Sequence, residues 1–338
     1  MKIAIDVMGG DFAPECNIDG IKSAIFEVPE LSLMAVGDLN SMGKLKTISE
    51  KNTGRLEIVH TPSIVAMDES PSKALREKPD SSIGVCADLV RDGKADAMVT
   101  AGNTGATVAY ALMRIGRLEG INRPALATVF PTQDKPCVVI DVGANARVKS
   151  MNLLEFAIMG QVYAEEILGI ENPSVGLLSV GEEEAKGYEV IKEANHLLKE
   201  ANINFYGNVE GGDILEGTTN VIVCDGFVGN VVIKFAESIS GVVFSTLKAT
   251  VSKSMKRKMG AWLMKPALRD FKRIWDPSEY GGAPLIGLNG TCIICHGKSS
   301  PKAIKNGIFA AKKCVEKKIN YKIMEKIKDL NKFKDTDY

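Results

Sequence analysis

The chain has 338 residues, with 42 Lys and Arg against 42 Asp and Glu, so its formal charge is zero and its pI about 6.8. That balance excludes a general nucleic-acid binder, which needs a basic face and an elevated pI. With 45% hydrophobic and 25% charged residues it is also no disordered chain.

At the N-terminus Asp6 interrupts the apolar run after Ile3-Ala4-Ile5, so no signal-peptide core forms. No uninterrupted apolar stretch approaches the ~18 residues of a spanning helix. The expectation is a cytoplasmic protein whose seven cysteines are reduced thiols. Short apolar runs at 3–7, 31–36, 56–59, 97–99, 125–130, 138–142, 175–180, 221–224 and 292–295 predict strands. They are continuous rather than alternating, as in strands covered on both faces. Helix-like stretches at 82–91, 104–115, 153–168, 185–199, 230–247 and 302–315 stand between them. The fold class is therefore α/β, a mostly parallel sheet with helices on both faces.

Five strand ends carry small, polar, glycine-containing turns: residues 101–105, 141–145, 181–187, 225–230 and 296–300. Glycine lets backbone N–H groups approach an anion, and a following helix N-terminus adds partial positive charge. Ligands of open parallel sheets bind beyond the carboxyl ends of the strands. All five turns on one such edge predict a site for a phosphate-sized anion. No P-loop follows a strand, Gly9-Gly10-Asp11 stands where a dinucleotide fingerprint would need its glycines, and no G-x-S-x-G elbow occurs. Of the three histidines, His60 and His196 read as structural and surface residues, and His296 lies at the mouth of the last strand.

The region 251–277 departs from this rhythm. It holds eight Lys and Arg against Asp270 and Asp276, a local charge of +6 that −6 over the remainder cancels. Met255, Met259, Trp262 and Leu263 recur at helical spacing, Pro266 interrupts, and Leu268, Phe271 and Trp275 resume the pattern. Two amphipathic helices with basic flanks suit a membrane surface or a dimer arm. The predicted organisation is a single α/β unit of 1–250 and 277–338 with a projecting amphipathic helical hairpin, 251–276, inserted. Cys292-Ile293-Ile294-Cys295-His296 fits the haem-attachment pattern, but the run reads as a buried strand whose cysteines point to opposite faces. No metal and no cofactor are expected. The lysine-rich end, 316–338, predicts a helix fraying into a tail.

Asp6-Val7-Met8-Gly9-Gly10-Asp11, Ala101-Gly102-Asn103-Thr104-Gly105, Asp141-Val142-Gly143-Ala144-Asn145, Cys224-Asp225-Gly226-Phe227-Val228-Gly229-Asn230, Glu279-Tyr280-Gly281-Gly282-Ala283-Pro284-Leu285 and His296-Gly297 occur in one order. Together, over residues 1 to about 315, they resemble the bacterial phosphate acyltransferase family (PlsX, acyl-ACP:phosphate acyltransferase of phospholipid synthesis). The resemblance implies transfer of a fatty acyl group from acyl carrier protein to inorganic phosphate, giving acyl phosphate for phosphatidic acid synthesis. It implies a fold similar to the isocitrate/isopropylmalate dehydrogenase group. A homodimer in peripheral contact with anionic membrane is also implied, with the hairpin and its Lys258, Trp262, Leu263 and Lys265 as the contact.

Phosphate is its own nucleophile, so such a reaction needs an anion cradle and an oxyanion stabiliser but no serine or cysteine nucleophile. Lys186 is the cation that matches the family pattern. The amides of Asn103, Asn145 and Asn230 are able to donate to phosphate or thioester oxygen, or else cap helices. Gly102, Thr104, Gly105, Gly226 and Gly229 complete the expected phosphate and substrate contacts, and His296 is a candidate general base or acid. Departures from the family are the stretch from Ala146 to Ser150, including Arg147, with Lys298 after His-Gly and Tyr188 after Lys-Gly. The alternatives are a phosphotransacetylase-like enzyme using acyl-coenzyme A and a non-enzymatic membrane scaffold.

Overall fold

Strand alternates with helix along most of the chain, and the computed structural model describes residues 1–51, 54–132 and 135–335. In chain order the first half runs β1 (Lys2–Asp6), α1 (Glu15–Glu27), β2 (Ser32–Gly37), α2 (Gly43–Lys51), β3 (Leu56–His60), α3 (Pro71–Glu77), α4 (Ser82–Arg91), β4 (Ala97–Thr100) and α5 (Thr104–Arg114). Then come β5 (Ala125–Phe130), β6 (Cys137–Ile140), α6 (Ser150–Tyr163), β7 (Val175–Leu178), α7 (Glu189–Glu200), β8 (Phe205–Val209), α8 (Asp213–Glu216) and β9 (Val221–Val223). The chain ends with α9 (Gly226–Ser252), α10 (Met255–Leu263), α11 (Lys265–Ile274), β10 (Ala283–Ile286), β11 (Thr291–Ile294), α12 (Pro301–Glu316) and α13 (Ile319–Asp335).

The strands form one 11-stranded sheet in the order β3-β2-β1-β4-β11-β10-β5-β6-β9-β7-β8. Most pairings are parallel, but β11–β10, β10–β5 and β5–β6 are antiparallel. An odd number of reversals inverts direction, so β1 to β4 and β11 run one way and β6 to β9 the other. This corrects the expectation that five turns share one edge. The turns after β4 and β11 lie at one edge, and those after β6, β7 and β9 lie at the opposite one. The physical reason is the antiparallel pairing of β5 with β6: β10 runs against both of its neighbours, so its two reversals cancel and the one at β5–β6 inverts the direction.

Alternate residues of each strand feed two core layers: Ile3 and Ile5 go to one, Ala4 to the other. Cys292 packs in one layer and Cys295 in the other, and burial pushes both thiols up to about 12. Among the described residues no cluster suited to a metal occurs. Helix α6 is apolar around its whole circumference and buried from Asn152 to Tyr163, as a central helix must be.

Helix α13 differs from the predicted fraying tail, of which residues 336–338 lie outside the described residues. Ile319, Ile323 and Ile327, spaced at i and i+4, are buried in the same layer as α6, and the lysines between them face outward. Lys326 pairs with Glu165 at 3.0 Å, and Lys322 pairs with Glu166. Ile323→Val is expected to cost about 0.5–1.5 kcal/mol, read as a lower denaturant midpoint at unchanged slope.

Helix α9 has 27 residues and is long and apolar enough to cross a membrane, by length and composition alone. Its Val228, Val232, Ile233 and Ala236 pack on the core, whereas Phe227, Val231, Phe235 and Val242 are exposed. No residue of α10 is buried. The Phe271 ring of α11 lies 5.8 Å from that of Phe244, so α11 folds back on α9.

Candidate active site

The edge after β4 and β11 is organised by a buried carboxylate. Asp6 accepts from the Met8 N–H at 3.1 Å and from the Thr100 hydroxyl at 2.7 Å, and Thr100 Oγ1 accepts from the Gly102 N–H at 2.9 Å. Burial raises the Asp6 carboxyl above its ordinary range. The Gly102 N–H is thus committed within the loop and is not an anion donor. Asn103 caps α5, its Oδ1 accepting from the Ala106 N–H at 2.9 Å. Its Nδ2 donates to the Met67 and Glu69 carbonyls, both at 2.9 Å. Both ends of this amide are occupied, so Asn103 straps residues 66–69 over the edge instead of reaching a substrate. Thr104 and Gly105 open α5 exposed to solvent, and among the described residues nothing accepts from their N–H groups. His296 is exposed, its Nδ1 accepting from the Lys298 N–H at 3.0 Å and its Nε2 facing Glu237 Oε2 at 3.9 Å.

The opposite edge repeats the device at Asp141. This fully buried carboxylate accepts from the Leu126, Gly143 and Ala144 N–H groups, from the Asn145 N–H at 2.7 Å and from the Asn145 amide at 2.9 Å. Burial sets its carboxyl above the ordinary range, opposed by the hydrogen bonds from the Ala144 and Leu126 N–H groups, the Asn145 amide and the Gly143 N–H. Asn145 Nδ2 also donates to the Pro124 carbonyl at 2.8 Å, and the Asn145 carbonyl accepts from the Gly226 N–H at 2.8 Å. The side-chain donors of Asn145 and the N–H of Gly226 are therefore used internally, contrary to the phosphate role expected of them. Gly229 is a packing residue: a Cβ there would collide with the Asp141 carbonyl oxygen, so only glycine lets α9 lie this close to the end of β6.

What this edge leaves free is Asn230 and Lys186. Asn230 is half-buried, stands beside Gly143, and makes no side-chain hydrogen bond among the described residues. Lys186 is exposed in the loop before α7, which starts four residues later than the pattern predicts. Tyr188 ties that loop to the start of α9 by donating to Asp225 Oδ2 at 3.1 Å. Burial first, then the Asp225 carboxylate, pushes the Tyr188 hydroxyl up to about 12, so it remains a protonated donor. Asp225 Oδ1 accepts from the Val228 N–H at 2.8 Å, which caps α9 and places a negative charge where an anion would otherwise dock. Arg147 and Lys298, the departures from the family pattern, are both exposed.

Helix α9 connects the two edges. Asn230, Lys234 and Glu237 are spaced i, i+4 and i+7, so they form one row along a flank of the helix. The row begins at the β9 end with Asn230 and reaches His296 at Glu237, a rise of about 10 Å over two turns. His296 and Asn230 are therefore not neighbours but stand at the two ends of this row. Lys234, exposed and without an ion pair among the described residues, adds a cation between them. Sequence reasoning missed Lys234 and Glu237, although helical spacing from Asn230 points to both. Lys258, Trp262, Leu263 and Lys265 lie apart from this row on α10 and α11, with Trp262 and Leu263 each 69% exposed.

A phosphotransacetylase from Streptococcus pyogenes aligns with this structure at a TM-score of 0.60 and 18% identity, over 94% of each chain. The chain is thus an α/β protein with the phosphotransacetylase type of fold. Residues 1–322 match the family described as "Fatty acid synthesis protein". The phosphate acyltransferase of Pelotomaculum thermopropionicum is 48% identical over 331 residues, 98% of this chain and 96% of that one. That of Heliobacterium modesticaldum is 47% identical over 328 residues, covering 97% and 98%. With such near-complete matches, the chain belongs to this family of phosphate acyltransferases.

Proposed function

We propose that this acyltransferase moves a fatty acyl group from acyl carrier protein to inorganic phosphate, forming acyl phosphate for phospholipid synthesis. The observation that carries the reading is the near-full-length identity to phosphate acyltransferases. The loops agree with it chemically. They offer amides, lysines and free helix N–H groups, as expected where phosphate supplies the nucleophile. An oxygen of HPO4²⁻ attacks the thioester carbonyl carbon, the new C–O bond forms and the C–S bond breaks. The proton of the phosphate ends on the departing sulfur, so acyl phosphate dianion and free thiol account for every atom and charge. Lys186, Lys234 and Asn230 hold the phosphate, and the thioester lies toward Thr104, Gly105 and His296.

Release of carrier thiol from acyl-acyl carrier protein should depend on phosphate, and release that ignores phosphate would sink the proposal. Acyl-coenzyme A in competition tests the donor, because a strong preference for it would assign the acyl-coenzyme A reaction instead. Lys186→Ala is expected to raise the phosphate KM about 10-fold or more, the scale of one lost charge-assisted contact. An unchanged KM removes Lys186 from the anion site.

The sheet reversal and the phosphotransacetylase type of fold support kinship with the isocitrate/isopropylmalate dehydrogenase-like group. We further infer a cytoplasmic homodimer that touches anionic membrane through the 251–276 arm. The exposed Trp262 and Leu263 beside Lys258 and Lys265 support this. Trp262→Glu should reduce cosedimentation with anionic liposomes several-fold. Intact binding with a dissociated dimer would make the arm an assembly element only.

A further inference from the structure

We propose that His296 serves as a neutral hydrogen-bond donor through Nε2 to the thioester carbonyl oxygen, with Glu237 as its positioning residue, and not as a base on phosphate. The proposal rests on the acyl-transfer reading. Its starting point is the bond from the Lys298 N–H to His296 Nδ1 at 3.0 Å. A ring nitrogen that accepts a backbone N–H carries no proton, so the neutral ring holds its proton on Nε2. Turning the ring over would set a C–H against the Lys298 N–H and forfeit that bond.

In this tautomer Nε2 has nothing with which to accept a proton and one hydrogen to give. Glu237 Oε2 is 3.9 Å away, too far to take that hydrogen and near enough for its charge to orient the Nε2–H dipole of the neutral ring. The charges around the ring also select the ligand. Glu237 faces Nε2, Asp11 lies close to Gly297, and the adjacent Lys298 is exposed. The Glu237 carboxylate disfavours a dianion at Nε2 and leaves an uncharged carbonyl oxygen as the acceptor. Phosphate belongs at the other end of the α9 row, with Asn230 and Lys234. A phosphate hydrogen-bonded at one end and ~3 Å from a carbonyl that is hydrogen-bonded at the other needs on the order of 10 Å. The row supplies about that length. Because the phosphate's own proton reaches the sulfur, the reaction requires no base from His296.

The tautomer is measurable without turnover. In protein carrying ¹⁵N-histidine, three histidines give ring signals, and His296→Gln assigns the relevant one. We expect the pattern of a protonated Nε2 and a bare Nδ1; the reverse pattern overturns the assignment. Kinetics test the role. His296→Ala should lose about 10²–10³-fold in kcat, the scale of one oxyanion donor, with little change in phosphate KM. His296→Gln, which keeps a donor but no base, should retain roughly a tenth of kcat or more. A folded Gln variant as inactive as the Ala variant overturns the donor role. Glu237→Gln should shift the His296 Nε2–H resonance and lower kcat several-fold, whereas an unmoved resonance removes Glu237 as the positioning residue. Absence of any phosphate-dependent thiol release would defeat the acyl-transfer reading and leave the tautomer result standing.

Discussion

Asp141→Ala is expected to cost about 3–5 kcal/mol of stability and with it most of the activity. The carboxylate is fully buried and receives five donors, four from backbone and one from Asn145. Truncation leaves these donors facing an apolar methyl group, and each unsatisfied buried donor costs about 1–3 kcal/mol before water or relaxation compensates. The effect does not stop at the loop. The Asn145 carbonyl accepts from the Gly226 N–H, and Gly229 lies against the Asp141 carbonyl, so the origin of α9 moves with the 141–145 turn. A denaturant melt at neutral pH measures the loss. A drop below about 1 kcal/mol would mean that water replaces the carboxylate and that the turn is held by packing alone.

Asn230→Ala should have the opposite signature. Its amide has no partner among the described residues, so its removal strands nothing and should alter stability by about 0.5 kcal/mol or less. Loss of a preorganised donor to the phosphate or developing oxyanion should lower kcat about 10²–10³-fold. Asn103 and Asn145 provide the contrast, since each spends its side chain on the fold. Alanine at Asn103 should cost about 1 kcal/mol or more through the lost cap and strap. Paired melting and turnover measurements separate the two classes, and a kcat loss under about 5-fold for Asn230→Ala removes that residue from the chemistry.

The α/β class and nine of the strands were legible because continuous apolar runs between polar turns have one good solution, a sheet covered on both faces. The missing strands lack that signal. Gly207 and Asn208 interrupt β8 at the sheet's rim, and β10 follows Gly281-Gly282 and contains Pro284, so it reads as a turn. The reversal of direction comes from β5 pairing antiparallel with β6, two runs that continuous apolar patterning shows without their orientation, so five turns read as lying on one edge. The residue types of the site were also legible, but the bonding partners of its asparagines were not. Asn103 Nδ2 meets carbonyls more than 30 residues away in sequence, and nothing local to it signals that the amide is spoken for. The isoleucine stripe of α13 was hidden by its lysines, a matter of mean polarity masking a narrow period.

The place of β11 bears on how the chain is made. Strand β4 pairs with β1 on one side, but its other partner, β11, leaves the ribosome roughly 200 residues later. At about 5–20 residues per second, the nascent N-terminal half presents an open β4 edge for roughly 10–40 s. Such an edge is a template for wrong pairing until the last strand slots in. The sheet therefore closes late and by non-local contacts, which makes refolding slow and gives a chaperone that shields unpaired strands a defined interval in which to act.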